Sequence, residues 1–194
     1  MMINLDGLNP YVSCLCTLRE TSKGGKSCVA LTAIDAEAYD FDKLMEAYVK
    51  KNRIHNEFIK NHRTQKESCD ALYIAPFKND RICLIEFKSG KIGKDTNNLK
   101  SKAYSSLLIL TDVLDTTIST TRICVSLFLV YDKEINPDDE KFANARAVAI
   151  RANNRFVRFG LRKFEGLYFK EVHTIDKKEF DTYFKKHWLN KVYG

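Results

Sequence analysis

Apolar positions alternate with polar ones over residues 9–34, where YVSCLCTL and CVALTAI flank Ser22-Lys-Gly-Gly-Lys-Ser27. That pattern predicts a β-hairpin with a glycine-rich turn. From Ala36 the period lengthens: Phe41, Leu44, Tyr48, His55 and His62 fall near one face, while Glu46, Lys50, Arg53 and Glu57 fall opposite. This predicts an amphipathic helix over 36–62, capped by Asp35. Two-residue alternation returns after Asp70, breaks at Lys78-Asn-Asp80 and resumes over 81–88, which predicts a second hairpin. On its second strand Ile82, Leu84, Glu86 and Lys88 share one face, and Cys83, Ile85 and Phe87 the other. A helix follows over 97–114, with Leu99, Ala103, Leu107, Leu110 and Leu114 toward a core.

Residues 121–131, TRICVSLFLVY, are almost continuously apolar and β-branched, the mark of a strand covered on both faces. Asn136-Pro137 followed by three acids opens another helix. A strand over 166–175 and a last helix to about 189, opened by Asp176 and Glu179 as a capping box, complete the chain. The order ββ-α-ββ-α-β-α-β-α predicts an α/β fold with a mixed β-sheet flanked by helices on both faces. One domain spans 1–194: an N-terminal hairpin (9–34), a core (about 35–132), and basic and C-terminal elements (137–190).

Composition narrows this picture little. With 44% hydrophobic and 29% charged residues the 194-residue chain is globular, and no apolar run reaches the ~20 residues of a spanning helix. The N-terminus, with Asp6 and no basic start, does not read as a signal peptide. Six irregularly spaced cysteines, several inside apolar strands, point to reduced core thiols and a cytoplasmic location. No membrane association is expected.

The chemistry gathers on the second hairpin. Glu86 and Lys88 emerge together at the end of a buried strand, and Asp70 on the neighbouring strand is their natural third member, because unpaired buried charge costs several kcal/mol. Two acids can hold a hard divalent cation, Mg²⁺ or Mn²⁺, which lowers the pKa of a bound water. A lysine can orient that water or steady the developing oxyanion. The set suits phosphodiester hydrolysis.

Asp70, one hairpin, then Glu86-Phe-Lys88-Ser-Gly-Lys91, with Tyr104 on the next helix, resembles the PD-(D/E)xK nuclease superfamily, most closely its RecB-like branch. The resemblance implies a restriction-endonuclease-like core and metal-dependent nuclease activity. It implies that Asp70 and Glu86 bind the metal with the Phe87 carbonyl as third oxygen, and that His55 from the preceding helix completes the site. Lys100, standing where the branch carries glutamine, and Tyr104 would hold the phosphate beside Lys88.

Charge adds an independent argument for a nucleic-acid partner. Between Lys141 and Lys163 lie seven basic residues (Lys141, Arg146, Arg151, Arg155, Arg158, Arg162, Lys163) and no acid, equal to the whole chain's net charge of +7. Guanidinium forks interleaved with Phe156, Phe159 and Phe164 suit a phosphate backbone and its bases. Lys91, in the loop after the motif, is expected to join them. The partner is expected to be DNA ahead of RNA, and a homodimer or larger protein complex is compatible with the sequence. Two rivals stand beside the nuclease: a non-catalytic nucleic-acid-binding protein that retains the fold, and a partner-binding protein in which Asp70, Glu86 and Lys88 form a buried ion cluster.

Overall fold

The computed structural model describes residues 3–23, 29–52, 68–75, 81–93, 96–152 and 155–189. Its six strands form one mixed sheet in sequence order: β1 (Leu15–Thr17), β2 (Glu37–Asp40), β3 (Ala71–Ile74), β4 (Ile82–Lys88), β5 (Val125–Tyr131) and β6 (Glu171–Asp176). Pairing is antiparallel from β1 through β4 and parallel for β4–β5 and β5–β6. Each parallel step carries a helical crossover, as parallel neighbours require. α3 (Asn97–Val113) and α4 (Ile118–Cys124) join β4 to β5, and α5 (Glu140–Arg151) precedes β6. From the helix after β2 onward the order α-ββ-α-β-α-β-α is the expected one, with α4 added before β5.

Alternation along the strands divides the core into two. Leu72, Ile82, Leu84, Leu127 and Leu129 pack on one face with Phe41 and Leu44 of α2 (Phe41–Lys51) and Leu99, Ala103, Leu107 and Leu110 of α3. Tyr73, Cys83, Ile85, Phe87, Phe128 and Val130 pack on the other with Leu18 of α1 (Leu18–Thr21), Phe180 and Phe184 of α6 (Lys177–Phe184), and Trp188. Helices therefore cover both faces. No described helix is long and apolar enough to cross a membrane.

Several boundaries correct the expectation from sequence. Asp6–Cys14 is a 3₁₀ helix that replaces the start of the first strand of the expected 9–34 hairpin, leaving only Leu15–Thr17 extended; residues 29–34 of its second strand form no strand, and β1 pairs with β2 instead. The buried residues Leu8, Tyr11 and Cys14 of the 3₁₀ helix recur every third position, the 3₁₀ period, and the intervening Val12 is exposed. Gly7 lets this helix meet the end of α3, since a Cβ there would stand 1.7 Å from the Val113 carbonyl oxygen. Residues 37–40 are strand rather than helix, because β2 gains partners on both sides. The cap of α2 is accordingly Asp40, whose Oδ1 accepts from the Lys43 N–H at 3.0 Å, and not Asp35. The start of the expected 121–131 strand is helical instead: Thr117 caps α4 and the Thr121 hydroxyl bonds the Ile118 carbonyl. Asn136 does not open α5. Asp139 accepts from the Phe142 N–H at 2.8 Å and does so in its place.

Candidate functional site

The register of the central hairpin builds the site. β3 and β4 pair through Ala71↔Ile85 and Leu72↔Leu84, so one step further Asp70 stands across from Glu86. Both belong to the face covered by α2 and α3. Asp70 is held by backbone at two points: its carbonyl accepts from the Phe41 N–H at 3.1 Å, and its Oδ2 accepts from the Phe87 N–H at 2.5 Å. Glu86 is 4% exposed. Lys88, two residues along the same face, brings Nζ to 3.6 Å from Glu86 Oε1 and keeps a third of its side chain in solvent.

Into this pair α3 sends Lys102. Its ammonium donates to both oxygens of Glu86, at 2.8 and 2.9 Å, and lies 4.0 Å from Asp70 Oδ1. A further acid stands at the rim: Asp42, in the first turn of α2, accepts from the Ser68 hydroxyl. The electrostatics follow from this geometry. Burial, then the Glu86 charge, push the Asp70 carboxyl well above its ordinary range, and Lys102 and the Phe87 N–H only partly offset them. Burial raises Glu86 as well, against the pull of Lys102 and Lys88, and Asp42 adds to both shifts. Burial pulls Lys102 down, but Glu86 and Asp70 outweigh it and leave its pKa raised. The cluster stores carboxylate repulsion that one internal ammonium moderates.

Of the residues expected at the site, Asp70, Glu86 and Lys88 come together. Phe87 contributes its N–H, while its ring packs on the opposite face 5.9 Å from Phe180. His55 lies outside the described residues. Lys100 and Tyr104 do not reach the carboxylates: Lys100 Nζ donates to Asn97 Oδ1 at 3.4 Å, and the Tyr104 ring packs 4.8 Å from Phe164 and 5.2 Å from Tyr168. At 3.6 residues per turn both sit about 200° around the helix from Lys102, which takes the inward place. Lys102 and Asp42 were the residues missed. Lys102 was detectable, because Leu99, Lys102, Ala103 and Ser106 form one stripe at helical spacing and the whole stripe faces the sheet.

The basic segment is corrected more deeply, because acids outside it neutralise much of it. Arg158 is 7% exposed and ion-paired to Asp138 at 3.1 Å. It donates to the carbonyls of Asn136 and Pro137 and to the Tyr131 hydroxyl, with its plane over the Phe159 ring. Arg146 pairs with Asp138 and Glu179, Arg155 with Glu165 and Glu171, and Arg162 with Glu165. Arg151, Lys163 and Lys91 are exposed. Cys14, Cys16, Cys69, Cys83 and Cys124 are not in disulfides, and all but Cys16 are buried.

Among the described residues no three His, Cys, Asp or Glu side chains form a ready-made metal site. The Asp70–Glu86 pair nevertheless fits Mg²⁺ by donor chemistry, since that ion is commonly held through one or two carboxylates and keeps several waters. The Lys102 ammonium is the cation that faces both carboxylates. Compared with known proteins, the chain matches no family model, no curated protein and no solved structure.

Proposed function

We propose that this protein is a metal-dependent nuclease with a restriction-endonuclease-like core, hydrolysing phosphodiester bonds at the end of β4. The observation that carries the reading is the placing of Asp70 and Glu86 across one antiparallel pair, with Lys88 beside them on the same face. Asp70 is oriented by the Phe87 N–H and Glu86 by its buried position on β4, so the acids need little rearrangement to act together. A divalent cation, Mg²⁺ or Mn²⁺, held between these carboxylates would lower the pKa of water and offset charge on the phosphate. Lys88 is the partly exposed cation at the mouth, suited to orient the attacking water or to donate to a phosphate oxygen as charge develops. The Phe87 carbonyl, by resemblance, is the third oxygen, and DNA is the preferred substrate ahead of RNA. The absence of disulfides among the described cysteines supports a reducing, cytoplasmic setting.

Incubation with labelled single- and double-stranded DNA and RNA in Mg²⁺, Mn²⁺ or EDTA tests the reading. Divalent-dependent cleavage is the expected result, and no cleavage in either metal overturns it. A second reading is favoured by Lys102, whose bidentate contact with Glu86 already compensates one carboxylate: the cluster would then be a structural ion network. That reading expects no divalent-induced rise in melting temperature.

A further inference from the structure

We propose that Lys102 is the resident counter-cation of this site and that its ammonium leaves Glu86 whenever a divalent ion enters. The inference rests on the metal-dependent reading above and concerns how that metal gains access. Both Glu86 oxygens are engaged by one Nζ, at 2.8 and 2.9 Å, and the same atom stands 4.0 Å from Asp70 Oδ1. A divalent ion sits ~2.0–2.6 Å from its carboxylate oxygens. Held by Asp70 and Glu86 together, it would fall within the volume the ammonium occupies. Two cations at that separation, in a place where Glu86 is 5% exposed by side chain and Lys102 14%, repel strongly. Occupancy is therefore exclusive.

The lysine can move without its helix. Leu99, Ala103, Leu107 and Leu110 anchor α3 in the core, and the Cys69 N–H donates to Ser106 Oγ at 2.7 Å. The four-carbon stem of Lys102 rotates independently of these anchors. Lys88 plays a different part, because it touches Glu86 only at 3.6 Å and from the solvent side. One lysine thus moderates the carboxylates until metal arrives, and the other faces substrate.

Amine acetylation of the wild-type protein, read by mass spectrometry in EDTA, in Mg²⁺ and in NaCl of matched ionic strength, tests the exchange directly. An ion-paired, buried amine is protected, so Mg²⁺ is expected to raise Lys102 labelling several-fold while matched NaCl does not. Unchanged or reduced labelling overturns the proposal. A second arm uses Lys102→Met, in which the competitor is gone. Calorimetry with Mn²⁺ is expected to give a Kd about tenfold lower than wild type, ~1.4 kcal/mol. Equal or weaker binding than wild type overturns the exchange and leaves the Asp70–Glu86 metal reading standing. No Mn²⁺ binding by wild-type protein overturns that reading and this inference together. Should Lys102→Met fold poorly with its carboxylates unpaired, the acetylation arm on wild-type protein still decides.

Discussion

Glu86 is a carboxylate in a strand whose other described side chains, Lys88 apart, are buried and apolar, and its desolvation is offset by the Lys102 ammonium at both its oxygens. Glu86→Gln keeps the shape and an acceptor while removing the charge a cation needs. Cleavage is expected to fall by orders of magnitude with the far-ultraviolet spectrum unchanged; retained cleavage moves the chemistry elsewhere. Lys88→Ala is expected to lower kcat with KM nearly constant, because a lysine serving developing charge acts mainly in the transition state. A loss confined to KM would make Lys88 a phosphate tether. Away from the site, Glu171 Oε2 lies 3.0 Å from His173 Nε2 and is ion-paired with Arg155 Nη1 at 2.9 Å. The His173 hydrogen bond leads, Arg155 adds to it against burial, and the Glu171 carboxyl is held down to about 2. A depressed folded pKa contributes stability above the unfolded value near 4.5 that is lost as pH falls through 2. Glu171 is 38% exposed by side chain, so solvent screening limits its contribution to ~1 kcal/mol or less. Urea midpoints for wild type and Glu171→Gln are expected to differ at pH 7 and to converge toward pH 2.

At the scale of elements, legibility followed how local the determining interactions are. The β3–β4 hairpin and α3 were readable because their alternation and helical stripe are regular over many residues, and with them came Asp70, Glu86 and Lys88. β2 was not, since strand pairing on both sides overrode a helical pattern running on from Ala36. Lys102 is found by the phase of its stripe, not by the motif spacing that points to Lys100 and Tyr104. The sequence does not reveal the interior role of Arg158, because its partners Asp138, Asn136 and Tyr131 are 20, 22 and 27 residues away. It fastens the segment between β5 and α5, and Asn136 in turn accepts from the Ile92 N–H at 2.7 Å and donates to the Gly90 carbonyl at 3.0 Å. The loop that follows Lys88 is therefore tied through Asn136 to Arg158. Arg158→Met is expected to destabilise the fold by ~1–3 kcal/mol, because the Asn136 and Pro137 carbonyls would lose their donor while Asp138 keeps Lys133 and Arg146. Arg151→Glu, at an exposed position in the last turn of α5, is expected to stay within ~0.5 kcal/mol. Equal midpoint shifts for the two in guanidinium titrations would contradict the assignment of Arg158 to the interior.

For the whole molecule the decisive property is a net charge of +7 whose effective distribution differs from its distribution in sequence. Ion pairs with Asp138, Glu165, Glu171 and Glu179 absorb Arg146, Arg155, Arg158 and Arg162 within the fold. Reversing Arg155 or Arg158 would therefore confound affinity with folding. Lys91, Arg151 and Lys163 are exposed and carry the test instead. If the excess charge contacts a nucleic-acid backbone, each phosphate contact releases condensed counterion, with a log-log salt slope of about −0.7 to −0.9 per contact. The triple variant Lys91→Glu, Arg151→Glu, Lys163→Glu is expected to bind DNA more weakly and with a shallower salt slope, while its thermal midpoint and its divalent-metal affinity match wild type. Ca²⁺ in place of Mg²⁺ keeps the substrate intact during a fluorescence-anisotropy titration over a salt series. Unchanged affinity and slope would remove Lys91, Arg151 and Lys163 from any nucleic-acid interface and end the argument from exposed positive charge.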